Sequence, residues 1–112
     1  MNKDKWKNSK LSIILIGPQM GENIGASARA MLNFGIENMR IVNPRDGWPN
    51  SRAKSMSAGA GRVLDTAQLF NKTSEALSDL NFVFATTART RDLSKEVMSP
   101  ERAILYARSL IQ

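Results

Sequence analysis

Three short stretches hold the residue types that could do chemistry. They are Gly21-Glu22-Asn23-Ile24-Gly25 with Arg29 four positions on, Asn43-Pro44-Arg45, and Thr86-Thr87-Ala88-Arg89-Thr90-Arg91. The 112 residues include no histidine and no cysteine, so an imidazole base, a thiolate nucleophile and a Cys or His metal site are all excluded. Gly21 and Gly25 lack the G-x-G-x-x-G spacing, and no G-x-x-x-x-G-K-[ST] loop occurs, which removes the dinucleotide and nucleoside-triphosphate readings. Taken alone, these two glycines read as permitting a tight strand-to-helix turn. What remains is anion binding and positioning. The Arg29 guanidinium could hold a phosphate in bidentate fashion, but it stays protonated and cannot be a general base. The competing reading of Arg29 is a solvated surface arginine. Arg89 and Arg91 share a loop with Asp92, Lys95 and Glu96, so RNA binding and a mixed-charge surface both stand. Trp48 beside Pro49 could stack on an unpaired base, or simply anchor packing.

Charge points the same way. The net +6, from 16 Lys and Arg against 10 Asp and Glu, favours polyanions, because phosphate binding gains from counterion release. Lys3, Lys5, Lys7 and Lys10 against Asp4 place +3 of it in residues 1–10, which read as a basic, unstructured tail. No apolar run approaches the roughly 20 residues of a membrane span, and the short Ile13 to Ile16 run makes no secretory signal, so a cytoplasmic protein is expected.

The elements that must position these loops follow from hydrophobic period. Leu11 to Gly17 is an apolar, β-branched run closed by Gly17-Pro18 and reads as a buried strand. Ile24, Ala28, Met31, Leu32 and Phe34 then share one side of a helix, with Arg29 and Asn33 on the other and Gly35 as its stop. Met39 to Val42 is a second strand, followed by a turn-rich loop to about Asn50. Small residues 53–60 suggest a short helix, 65–70 a short edge strand, and Glu75 to Leu80 a helix opened by the capping types Thr73-Ser74. Phe82 to Thr87 reads as a third clear strand, and Pro100 to Leu110 as a last helix. Alternating strands and helices on short links imply an α/β, Rossmann-like parallel sheet flanked by helices, with residues 11–112 as one domain. Ligands bind such sheets beyond the carboxyl ends of the strands, so the three chemical loops are expected on one edge.

The pattern Asn23-x-Gly25-x-x-x-Arg29, followed by Phe34-Gly35, resembles the first motif of the SpoU family of the SPOUT superfamily. The resemblance, closest to its TrmJ-like group, continues through Arg40-Ile41-Val42-Asn43-Pro44, Ala58-Gly59-Ala60 and Thr86-Thr87-Ala88-Arg89-Thr90-Arg91. It implies S-adenosylmethionine-dependent 2'-O-methylation of an RNA ribose, with tRNA and its anticodon loop as the substrate. It also implies a homodimer in the complete enzyme. On the matched positions, Asn23 and Arg29 would be catalytic, Thr86, Thr87 and Ala88 would border the cofactor, and Arg29, Arg89 and Arg91 would bind RNA, with no metal. Methyl transfer by positioning alone needs no histidine. Two later motifs that complete the cofactor pocket and the trefoil knot do not occur in these 112 residues. A shortened, SPOUT-type domain without cofactor-dependent activity of its own is therefore expected. The alternative is a non-catalytic RNA-binding or dimerisation module derived from the same fold.

Overall fold

The computed structural model describes residues 11–86 together with Leu105, Tyr106 and Ser109. It divides into two units, 1–79 and 80–112.

In the first unit, strand β1 (Ser12–Ile16) leads through helix α1 (Gly21–Asn33) to β2 (Asn38–Val42). Two short helices, α2 (Ser51–Met56) and α3 (Gly61–Asp65), then lead to β3 (Gln68–Phe70), and α4 (Thr73–Leu77) follows. The sheet runs β1-β2-β3, all parallel, with Ser12 opposite Asn38 and Arg40 opposite Gln68. This is the expected α/β architecture. Successive parallel strands advance in one direction, so right-handed crossovers place α1, α2 and α3 on the same face of the sheet, where they pack on one another.

Alternation along the central strand decides what each face carries. Met39 and Ile41, 2% and 0% exposed, sit among the buried residues Ile24, Ala28 and Met31 of α1, Ala53 of α2 and Val63 of α3. Arg40 points to the opposite face. There its Nη1 donates to the Ala76 carbonyl at 2.6 Å, and Nη1 and Nη2 hold the Asp79 carboxylate at 2.6 and 3.0 Å. This fork fastens α4 to the sheet, and the guanidinium carbon also lies 5.9 Å from the centre of the Phe70 ring. The Asp79 hydrogen bond holds the Arg40 pKa above its ordinary value and the Asp79 carboxyl below the usual carboxylate range.

Several sequence expectations are corrected. Helix α1 begins at Gly21, three residues before the first apolar position, because its opening turn is covered by α2 and needs no large side chain there. Gly21 and Gly25 therefore lie inside α1, not in a turn before it. Phe34 is 47% exposed, because it caps α1 after the helical period has ended and Gly35 (φ 76°) turns the chain away. Helix α3 was not anticipated from its five residues, and α4 starts at Thr73 behind an N-cap, Lys72, that offers no side-chain acceptor.

In the second unit, residues 82–86 form no strand despite their apolar, β-prone composition. A strand is a hydrogen-bonded pairing, and these residues make no ladder among the described residues. Phe84 meets Tyr106 edge to face, with ring centres 5.6 Å apart. Leu105, Tyr106 and Ser109 are helical, within the expected last helix; the rest of that helix lies outside the described residues.

Candidate functional site

The carboxyl ends of β1 and β2 open into two interlocked loops. Gly17 (φ 57°) and Asn43 (φ 47°) both take the left-handed backbone region, which turns each chain sharply out of the sheet. The Gly17 N–H donates to the Val42 carbonyl at 2.8 Å, Asn43 N–H to the Phe70 carbonyl at 2.9 Å, and Arg45 N–H to the Pro18 carbonyl at 3.0 Å. These bonds tie three successive strand ends into one edge. Strand position alone thus brings Gly21 to Gly25 and Asn43 to Arg45 together as expected.

Helix α2 is seated against the opening of α1 by the absence of side chains. A Cβ at Gly21 would collide with the Asn50 side chain, and one at Gly25 would overlap the Ala53 carbonyl oxygen and stand 2.9 Å from Met56 Cβ. Asn50 is itself the N-cap of α2, its Oδ1 accepting from Arg52 N–H at 2.9 Å and Ala53 N–H at 3.2 Å. The two glycines, one helical turn apart, are thus a packing seam between helices. The G-x-x-x-G spacing was visible in the sequence, but what it approached was not.

Asn23 lies in the first turn of α1 with its side chain exposed. Arg29 is exposed on the same helix and makes no hydrogen bond or ion pair among the described residues. Six residues separate them, which is about 9 Å along a helix axis and about 120° around it, so they are two points on α1 and not a contacting pair. Glu22, Gly25 and Arg29 follow at i, i+3 and i+7, the spacing of one helix row, and Gly25 marks that row as the α2 side.

Asn50 and Arg52 were given no role by the sequence, and Glu22 was marked only as part of the Gly21-to-Gly25 stretch. Glu22 Oε2 lies 4.0 Å from Arg52 Nη1, and its Oε1 is buried without a hydrogen-bond partner. Asn50-Ser51 was legible as a helix start from residue type, since asparagine is a preferred N-cap. Arg52 had no local signal, because only the glycine seam brings it to α1. Trp48 is half-buried beside the edge and joined to Pro49 by a cis peptide.

Thr86 is exposed and belongs to the second unit. Thr87, Ala88, Arg89 and Arg91 lie outside the described residues. Among the described residues no cluster of acidic side chains could hold a metal ion. A depression lined by Asp46, Pro49, Asn50, Ser51 and Arg52 borders the edge; it is polar and open.

Comparison with known proteins agrees with the fold. Residues 10–106 match the SpoU rRNA Methylase family. The tRNA (cytidine-2'-O-)-methyltransferase TrmJ of Methanocaldococcus jannaschii is 37% identical over 94 residues, covering 81% of this chain and 40% of that protein. The crystal structure of TrmJ from Z. mobilis ZM4 superposes with a TM-score of 0.84 at 51% identity, covering 88% of this chain and 44% of that one. A probable methyltransferase from Bordetella pertussis Tohama I superposes at 0.81 with 28% identity, covering 96% and 64%. The chain spans about 40% of the length of the curated relatives it matches. A family match over most of the residues and a shared parallel sheet lead to one conclusion: the chain belongs to the SpoU rRNA methylase family.

Proposed function

We propose that this domain serves S-adenosylmethionine-dependent 2'-O-ribose methylation of RNA, with the tRNA anticodon loop as its substrate, in a cytoplasmic enzyme that works as a homodimer. The observation that carries this reading is the Asn23-x-Gly25-x-x-x-Arg29 pattern on a helix that opens at the carboxyl edge of the sheet, in a chain whose relatives are named tRNA 2'-O-methyltransferases.

The described residues do not by themselves fit the cofactor. The depression beside the edge is polar and open, without the apolar slot that buries an adenine ring. S-adenosylmethionine would supply an electrophilic methyl group, and the chain's own residues account for the other half of the reaction. Arg29 is free to pair with a phosphate oxygen of the substrate strand and to favour the alkoxide character that grows on the 2'-oxygen. Asn23, with a carboxamide that both donates and accepts, is suited to orient the ribose hydroxyls. The hydroxyl proton goes to solvent or to a group other than Arg29, which remains protonated throughout.

Tritium transfer from labelled S-adenosylmethionine to tRNA by the full-length protein, followed by mapping of alkali-resistant linkages, tests this. A methylated 2'-oxygen in the anticodon loop is the expected result. Tight tRNA binding with no transfer under any donor concentration would instead establish the non-catalytic RNA-binding module.

A further inference from the structure

Charge within the first unit is unevenly placed. Residues 11–79 carry seven Lys and Arg (29, 40, 45, 52, 54, 62, 72) against six Asp and Glu (22, 37, 46, 65, 75, 79), a difference of +1. Yet residues 47–64 contain Arg52, Lys54 and Arg62 and no carboxylate at all. Arg62 is neutralised by Glu37 at 2.8 Å. Lys54 is exposed with no partner among the described residues. Arg52, with a 72% exposed side chain, has only the Glu22 carboxylate at 4.0 Å, the outer limit of an ion pair. At that exposure and distance the pair is weak and exchanges readily.

The position of these cations matters as much as their number. Ala53 and Ser57 are the buried residues of α2 and its end, which leaves Ser51, Arg52, Lys54 and Ser55 exposed together with the apolar Met56, 45% exposed. The glycine seam presses α2 against the first two turns of α1, so this surface, with Asp46 beside Ser51 and Arg52 as its neighbouring carboxylate, borders the row that ends in Arg29. Glu22, from that same row, lies 4.0 Å from Arg52 across the seam.

We propose that α2 is an RNA-backbone contact of this domain, with Arg52 and Lys54 taking phosphates that flank the ribose handled at Arg29. Resting on the RNA reading above, this assigns it a surface. A phosphate, which can accept two parallel N–H bonds, displaces the long, weak Glu22 contact of Arg52. Ser51 adds a neutral donor to phosphate oxygens, whereas the Ser55 hydroxyl already donates to the Arg52 carbonyl.

Fluorescence anisotropy with a labelled tRNA anticodon stem-loop, across a salt series, tests the proposal on the 112-residue chain. The Arg52→Ala/Lys54→Ala double variant is expected to lose about tenfold or more in affinity near 0.1 M salt and to flatten the salt slope by about 1.5, since each lost phosphate contact removes roughly 0.7–0.9. Lys72→Ala, which removes one positive charge on the α4 side against two in the double variant, should stay within about twofold of wild type. Arg52→Lys should keep the slope, because it keeps the charge. Thermal melting controls for folding. If wild type binds the RNA and the double variant matches Lys72→Ala, the α2 assignment falls while the RNA reading stands. If wild type binds no RNA at any salt concentration, the RNA reading falls and takes the assignment with it. Loss of binding only to polyglutamate, with RNA affinity unchanged, would give the strip to an acidic protein and overturn the proposal.

Discussion

Arg29 is exposed and makes no hydrogen bond or ion pair among the described residues, so its side chain does nothing for the fold that water could not replace. If Arg29 acts as proposed, a single substitution separates its chemical role from stability. Arg29→Ala should then slow single-turnover tRNA methylation by about a hundredfold to a thousandfold. Its effect on stability should stay within about 0.5 kcal/mol. Arg29→Lys should also fail substantially, since an ammonium keeps the charge and loses the planar fork. Retention of most activity by Arg29→Ala would mean that Arg29 is an ordinary solvated arginine and that the motif does not carry its role to this position. Arg40 shows the contrasting case. It occupies a motif position too, yet its guanidinium is spent on Ala76 and Asp79, and perturbed titration here marks a structural clamp and not the reactive edge.

At the scale of elements, two junctions hold the site in place. The first is the α1–α2 seam, where Gly25 admits the Ala53 carbonyl. Gly25→Ala improves helix propensity slightly, but its methyl must displace backbone, and overpacking of this kind costs about 1–3 kcal/mol. Urea denaturation should show a clearly lowered midpoint; an unchanged or raised midpoint would mean that the helices separate freely. The second junction is the Arg40–Asp79 fork between β2 and α4. The Asp79 carboxyl pKa is depressed in the folded chain, chiefly by the Arg40 hydrogen bond, so its contribution is present above the unfolded carboxylate value near about 3.9 and fades as pH falls through the lower folded value. Asp79→Asn should therefore be less stable than wild type at neutral pH, and the two melting temperatures should converge in acid. A gap that persists unchanged at the lowest pH would show that the charge is not what fastens α4.

For the whole molecule, half of the net +6 resides in residues 1–10, while residues 11–79 sum to only +1. Two contributions to RNA affinity follow: a diffuse one from the tail and a placed one from the seam. Removing residues 1–10 should weaken binding to any RNA and reduce its salt dependence, without changing which RNA is preferred. Filter binding between about 50 and 200 mM salt checks this, and an affinity indifferent to salt in that range would rule out counterion release as the source. The proposed RNA contacts of α2 lie within the described residues and are read by binding alone, independently of any turnover.

Local pattern determined more of this protein than composition did. Apolar runs at Leu11 to Gly17 and Met39 to Val42, with helical spacing from Ile24 to Met31, were enough to indicate strands linked by a helix, because such runs and spacings are local signals, although β1 is half-buried and not buried as its composition suggested. The order of motifs from Asn23 to Arg91 carried the family. The tertiary structure alone decided what the glycines are for, since a missing side chain has no meaning until its neighbour, Asn50 or Ala53, is known. It alone placed Arg52 beside Glu22, 30 positions away in sequence, because that contact depends on how two helices pack and on nothing within either. It also withheld a strand from residues 82–86, whose composition promised one. The reason is common to all three. Periodicity records which residues avoid water, whereas contacts and ladders need a specific second segment, and no single stretch of sequence encodes its partner.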